Sequence, residues 1–233
     1  MDPIEKLRED LVTCTKLLAF VDILDYSGHV SARIPGTETA LVLRREASRS
    51  GLSTQDLLLV DLDGEVIEGE GRPVAEAAIH TGVYRARPDV DFVCHGHPPL
   101  STTFSMVESD LIPMRHFAYK YPNGLPVHPD PTHIRSREQG DAVAATLGNG
   151  TACLLRSHGT VVASDRLDVL FMDCLDIEEN ARTLLSAIQL GSKLLPLTAS
   201  EIADLEDSYG KSDHRPGKVW EHYQVKGRQA GIL

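Results

Sequence analysis

The chain has 233 residues, 42% of them hydrophobic, enough for one sizeable α/β core, and no composition shift asks for a second domain. A formal net charge of −11 argues against nucleic acid or an anionic membrane as partner. No apolar run approaches the length needed to cross a bilayer, and Met1-Asp2-Pro3-Ile4-Glu5-Lys6 lacks a signal peptide's charged-then-apolar layout, so a cytoplasmic protein is expected.

Leu7, Leu11, Leu17, Leu18, Val21 and Leu24 recur at helical spacing and predict a helix over 3–25, ended by Gly28. Residues 29–34 and 40–43 read as a strand pair around Pro35-Gly36, and 57–60 and 65–67 as a hairpin across Asp63-Gly64. A helix over 74–86, with Pro73 at its start, carries Ala75, Ile79 and Val83 on one face. A strand at 91–96 and a helix at 98–107 follow, then a proline-rich, loop-like stretch over 113–131 with a short strand at 125–128. Next come a helix at 136–147, a strand at 152–156 and its hairpin partner at 160–163. A long helix at 166–191 buries a stripe from Leu167 to Ile188. In the polar tail, Trp220, His222 and Tyr223 suggest docking on another surface. Cys14, Cys94, Cys153 and Cys174 lie in apolar surroundings without C-x-x-C spacing and are expected to be reduced core residues. Helices and mostly antiparallel hairpins in one domain, 1–233, point to a three-layer α/β/α sandwich with a central, mostly antiparallel sheet.

The segment Phe92-Val93-Cys94-His95-Gly96-His97-Pro98 places two imidazoles on one face of a strand, where both can reach one cation. Strand alternation turns Cys94 to the opposite face. Sixty-one residues beyond His97, a second apolar run is broken by Ser157-His158-Gly159. Upstream, Pro73-Val74-Ala75-Glu76 puts a carboxylate in the first turn of a helix, favoured there by the helix dipole. Three His with an open position and a nearby carboxylate is the pattern of a catalytic metal site; a helix-capping role for Glu76 is the plainer alternative. His80 falls one turn after Glu76, in a supporting rather than catalytic position, and His128, His133 and His214 have no special claim.

In order, the chain carries Ser27-Gly28-His29-Val30-Ser31-Ala32-Arg33, Ser50-Gly51-Leu52, Val60-Asp61-Leu62-Asp63-Gly64, Pro73-Val74-Ala75-Glu76, Arg87-Pro88-Asp89-Val90 leading to His95 and His97, and Ser157-His158-Gly159. From about residue 5 to 190 this set resembles the class II aldolase/adducin family, which includes sugar-phosphate aldolases, an epimerase and aromatic-acid decarboxylases. The resemblance implies one divalent ion per subunit (Mn, Zn, Co or Fe) held by His95, His97 and His158. It implies Glu76 as acid/base or further ligand. It also implies a homo-oligomer, a cyclic tetramer, in which a C-terminal tail over 211–233 reaches a neighbour's site; a tail that packs only on its own subunit is the alternative.

Within that resemblance, phosphosugar members bind phosphate through a Gly-Asn pair in the first loop and a Ser-Ser pair before the catalytic Glu. This chain has Gly28-His29 and Val74-Ala75 instead. The aldolases' proton-donating Tyr falls in a region that here reads Arg115-His116-Phe117. The first loop matches the decarboxylase branch. The expected activity is therefore metal-dependent decarboxylation of a hydroxylated aromatic acid, with a small aromatic carboxylate as partner. Glu76 and His116 are the candidate catalytic residues, and His29, Ser31, Arg33, Arg115 and Tyr223 the candidate substrate contacts. A sugar-phosphate aldolase or epimerase is the runner-up. A non-catalytic adducin-like module is disfavoured by the full His set.

Overall fold

The computed structural model describes residues 2–211 and 214–233. Its first helix, α1 (Pro3–Phe20), starts on an Asp2 side chain that accepts from the Ile4 N–H, with Pro3 at a position that needs no donor. The helix ends at Phe20 rather than near Gly28. Asp22 adopts φ 60°, and the chain then turns through Asp25, whose carboxylate accepts from the Ser27 and Gly28 N–H groups.

Eight strands form one sheet: β1 (His29–Arg33), β2 (Thr39–Leu43), β3 (Leu57–Asp61), β4 (Val66–Glu68), β5 (Phe92–Gly96), β6 (Val127–His128), β7 (Ala152–Leu155) and β8 (Gly159–Ser164). Their order is β4-β3-β2-β1-β5-β8-β7-β6, antiparallel throughout except between β6 and β7. Helices α3 (Pro99–Phe104) and α5 (Leu167–Gln189) join α1 on one face, while α2 (Ala77–Ala86) and α4 (Arg137–Leu147) cover the other. The three-layer sandwich is the observed architecture. Cys94 packs with Leu11, Phe171 and Ile177 on the first face and Val93 with Ile79, Val83 and Val143 on the second, as strand alternation requires. All four cysteines are free and buried.

Two departures from expectation matter for the site. The helix expected from residue 74 begins at Ala77. Pro73 is instead held in an antiparallel bridge to Arg44, and the Val74 N–H donates to the Leu43 carbonyl. Glu76 is thereby the N-cap residue of α2, fixed at the end of the sheet. The expected polar tail over 211–233 holds a helix, α7 (Arg215–Gln229), and another, α6 (Ala199–Lys211), leads up to it. Helix α7 packs on α5 and α1 of its own chain, where the Trp220 and Tyr223 rings meet Phe171 at centroid distances of 5.4 and 5.3 Å. No described helix is long and apolar enough to cross a membrane.

Helices α2 and α4 touch backbone to backbone through two glycines. A Cβ on Gly82 would stand 2.5 Å from the Gly140 carbonyl, and one on Gly140 would stand 2.1 Å from the Ala78 carbonyl. Neither neighbour is a side chain that can swing aside, so Gly82→Ala must force the helices apart. The expected loss is about 1–3 kcal/mol of stability in denaturant titrations, with weaker metal binding because α2 carries Glu76.

Candidate metal centre

Adjacent strand ends bring the imidazoles together. In the ladder His95 pairs with Val161 of β8 and with His29 of β1, so His97 arrives beside the β7–β8 turn that holds His158. That turn is tight: His158 N–H donates to the Leu155 carbonyl, and Ser157 sits at φ 58°, a left-handed conformation that costs a non-glycine residue energy. Gly159 is required there, since a Cβ would lie 2.3 Å from the Gly96 carbonyl and 2.9 Å from the His97 ring.

One ligand atom from each of Glu76, His95, His97 and His158 falls within a 4.8 Å span. The Glu76 Oε2 lies 3.5 Å from both His95 Nε2 and His158 Nε2, while its Oε1 accepts from the Ile134 N–H at 2.9 Å. His95 Nδ1 is 3.0 Å from the Thr160 carbonyl, and His97 Nδ1 is 3.1 Å from the Asp25 carboxylate. Both partners only accept, so in neutral rings the proton of each imidazole resides on Nδ1. The two Nε2 lone pairs then face each other at 3.2 Å with no proton between them. A divalent cation resolves that opposition, and the carbonyl and carboxylate behind the rings orient them as ligands. The donor set therefore fits a metal ion, as the sequence pattern implied.

Electrostatics support the same reading. Burial lowers the pKa of His95, keeping its ring neutral despite the Glu76 carboxylate beside it. Burial also opposes ionisation of Glu76, but the adjacent His158 and His95 rings and the Ile134 N–H outweigh it and hold the carboxyl far below its usual range. The metal-side environment thus moves Glu76 away from a working pKa near neutrality, and the residue is an anion. Burial would raise the Asp25 carboxyl, yet the Ser27 N–H, His97 and the Gly28 N–H bring it down to about 2.

A cavity of about 560 Å³ opens over the cluster, lined by Asp25, Tyr26, Ser27, His29, Arg45, Arg49, Val74, Ala75, Glu76, His97, His133, Arg135 and His158. Of the expected substrate contacts, only His29 lines it. Behind His29 runs a buried chain: His29 Nδ1 to His80 Nε2 at 2.6 Å, His80 Nδ1 to Ser31 Oγ at 2.6 Å, and Ser31 Oγ to the Tyr84 hydroxyl at 2.6 Å. Ser31 thus supports His29 through His80 rather than facing the cavity. Arg33 points elsewhere, donating to the carbonyls of Val90, Tyr84 and Arg87. Arg115 pairs with Glu179, His116 stacks near Tyr209, and Tyr223 lines a separate cleft with Phe117 and Arg215. Within one chain these three are not brought to the cluster.

Several contributors carried no signal in the sequence. His133 Nδ1 lies 3.5 Å from Glu76 Oε1, and Arg49 donates to the carbonyls of Gly28, Ala47 and Ser27, tying down the first loop. Asp25 could have been found as the acceptor of an Asx turn before Ser27-Gly28. His133 and Arg49 act through loops that no local periodicity specifies.

The family model for the class II aldolase and adducin N-terminal domain matches residues 9–185. The chain belongs to this family. It is 28% identical over 230 residues to a 3,4-dihydroxyphthalate decarboxylase of Arthrobacter keyseri, covering 92% of this chain and 91% of that protein. A 5-deoxy-D-ribulose 1-phosphate aldolase of Bacillus thuringiensis serovar kurstaki is also 28% identical, over 216 residues, covering 89% and 99%. An aldolase II superfamily protein from Pseudomonas syringae superposes with a TM-score of 0.83 at 22% identity, covering 100% and 96%, and shows the shared fold. The protein is a class II aldolase superfamily enzyme with a candidate divalent-metal site.

Three outcomes are expected. His158→Ala should abolish bound metal by elemental analysis, and Asp25→Asn should weaken metal affinity about 10–100-fold while the far-ultraviolet spectrum is kept. The third concerns acid. Burial and the neighbouring His95 depress His80 from its ordinary 6.5 to about 3. The unfolded chain therefore takes up a proton in that interval that the fold refuses, so stability is full above about pH 6.5 and falls as pH drops toward 3. Metal-free His80→Gln should show a shallower decline, by up to about 1.4 kcal/mol per pH unit, in denaturant midpoints measured across that range.

Proposed function

We propose that the protein is a divalent-metal-dependent decarboxylase of a hydroxylated aromatic acid, such as a dihydroxyphthalate, a dihydroxycumate or a hydroxypyridine dicarboxylate. The observation that carries this reading is the cavity wall at Val74 and Ala75, immediately before Glu76. Phosphosugar members are expected to place hydroxyl donors there. Val and Ala offer none, and each missing charged hydrogen bond removes about 1.5–3 kcal/mol of phosphate affinity. An apolar wall beside a metal centre suits a flat ring. Similarity to a dihydroxyphthalate decarboxylase over most of both chains points the same way. Sugar-phosphate cleavage is the second reading, favoured by the equally similar aldolase relative.

A divalent ion bound by His95, His97 and His158 would supply Lewis acidity to adjacent carboxylate and phenolic oxygens of the substrate. Glu76, anionic and beside the imidazoles, is placed to accept the phenolic proton. The bond from the ring carbon to the carboxylate then breaks, carbon dioxide leaves, and the electron pair stays on the ring carbon. Glu76 returns its proton to that carbon, and the phenolate is reprotonated from water. His29, backed by His80, holds a ring hydroxyl. The reading includes a homo-oligomer, because His116, Arg115 and Tyr223 could serve only a neighbouring subunit's site.

With metal-loaded protein, carbon dioxide should evolve from one or more of these acids. No dihydroxyacetone phosphate should form from fuculose 1-phosphate in a coupled assay. Glu76→Gln should cut the decarboxylation rate about 10²–10⁴-fold with metal largely retained. Aldehyde release without any decarboxylation would replace this reading with the aldolase.

A further inference from the structure

The chain has sixteen arginines among an excess of acidic residues. Fourteen of them bond a carboxylate, carbonyl or amide oxygen: Arg44 with Asp56, Arg72 with Glu46, Arg85 with Asp141 and Arg137 with Asp63, for instance, and Arg33 and Arg49 with backbone carbonyls. Among the described arginines, only the side chains of Arg45 and Arg135 make neither a hydrogen bond nor an ion pair. Both line the cavity over the metal cluster. Both also line an adjoining cleft of about 220 Å³, and the wall shared by the two spaces is Arg45, Val74, Ala75 and Arg135.

The backbones under these two side chains are fixed. Arg45 N–H donates to the Arg72 carbonyl, beside the bridge that holds Pro73, and Arg135 N–H donates to the Gln139 side chain in the capping box of α4. Ile134, the residue before Arg135, donates to Glu76. The guanidinium groups thus stand on anchored chain, exposed at the cavity wall that carries Val74 and Ala75, with no protein partner. In a protein of net charge −11, two such cations at one cavity mark a place where the missing anion comes from outside.

We propose that Arg45 and Arg135 clamp a second carboxylate of the substrate, so that the cavity selects aromatic dicarboxylates over monocarboxylates. This rests on the decarboxylase reading for the first carboxylate, which lies at the metal cluster and is lost. Val74 and Ala75, on the same wall as the two arginines, give the ring an apolar surface, and the planar guanidinium fork matches a carboxylate through paired N–H donors. The second carboxylate takes no part in bond breaking and serves to orient the ring.

Binding of unreactive probes separates this inference from the reaction itself. Calorimetry on the metal-loaded protein would compare benzene-1,2-dicarboxylate with benzoate, in wild type and in Arg45→Gln, Arg135→Gln and the corresponding Lys variants. Wild type should prefer the dicarboxylate by at least about tenfold, each Gln variant should lose about tenfold or more of that preference, and Lys should restore part of it. Circular dichroism and metal content confirm that the variants fold. A wild type that does not prefer the dicarboxylate, or Gln variants that keep the preference, would overturn the clamp even if carbon dioxide evolves from a dihydroxyphthalate. Arginine-dependent dicarboxylate binding without carbon dioxide from any acid would keep the clamp and sink the decarboxylase. If inorganic phosphate and fuculose 1-phosphate bind through the two arginines and the dicarboxylate does not, the clamp fails in favour of a phosphate site, and the decarboxylase still stands or falls on carbon dioxide evolution.

Discussion

The site depends on two imidazole nitrogens that approach each other at 3.2 Å while each ring's proton is held on its other nitrogen. The Thr160 carbonyl and the Asp25 carboxylate are pure acceptors, and each fixes Nδ1 as the donor of its ring. What remains is a pair of converging lone pairs with His158 and an ionised Glu76 alongside. Such an arrangement is unfavourable by itself and favourable around a cation. The β5 register, the left-handed turn at Ser157 and the requirement for glycine at 159 all serve to hold it.

The same neutrality extends inward. His29 and His80 are buried side by side and both have pKa values pushed down, first by burial and then by neighbouring imidazoles. Two neutral rings joined to Ser31 and Tyr84 can share protons along one line without placing charge in the core. The arrangement leaves His29 Nε2 free for the cavity, since its Nδ1 is committed to His80. An ionised carboxylate, Glu76, and a neutral imidazole, His29, therefore border the same space with opposite characters.

Much of this was legible in the sequence, and the reason differs by residue. Strand and helix patterns located His95, His97 and His158 because two of them share a period-two face and the third breaks an apolar run before glycine. Glu76 was legible as a carboxylate at a helix start, although Pro73 and Val74 join the sheet edge and leave Glu76 to cap α2 rather than to sit in its first turn. Arg33 and Ser31 share a strand with His29, but alternation and the covering helix α2 direct Ser31 to His80 and Arg33 to the carbonyls that end α2. His133 and Arg135 come from the short aperiodic link between the proline-rich stretch and α4, placed by the bonds from Ile134 to Glu76 and from Arg135 to Gln139. The tail helix α7 was hidden because its polar composition reads as solvated chain until Phe171 supplies a surface for Trp220 and Tyr223.

Net charge and local charge act on different partners. At −11 the molecule as a whole repels polyanions, which span distances over which the whole surface is felt. Inside the cavity the sum is reversed in kind: three arginines, four histidines and a metal-ligand cluster face only Asp25 and Glu76. Arg49 spends its donors on backbone and Asp25 spends its charge on His97, so neither reaches a ligand. Glu76 belongs to the cluster. What is left to meet an incoming molecule is the pair Arg45 and Arg135, the metal-ligand cluster, and the apolar side chains of Val74 and Ala75 on the wall that the arginines share. A small, flat, doubly charged acid satisfies all three at once, whereas a sugar phosphate would set its hydroxyls against those apolar side chains. The acidic exterior and the cationic pocket are thus compatible.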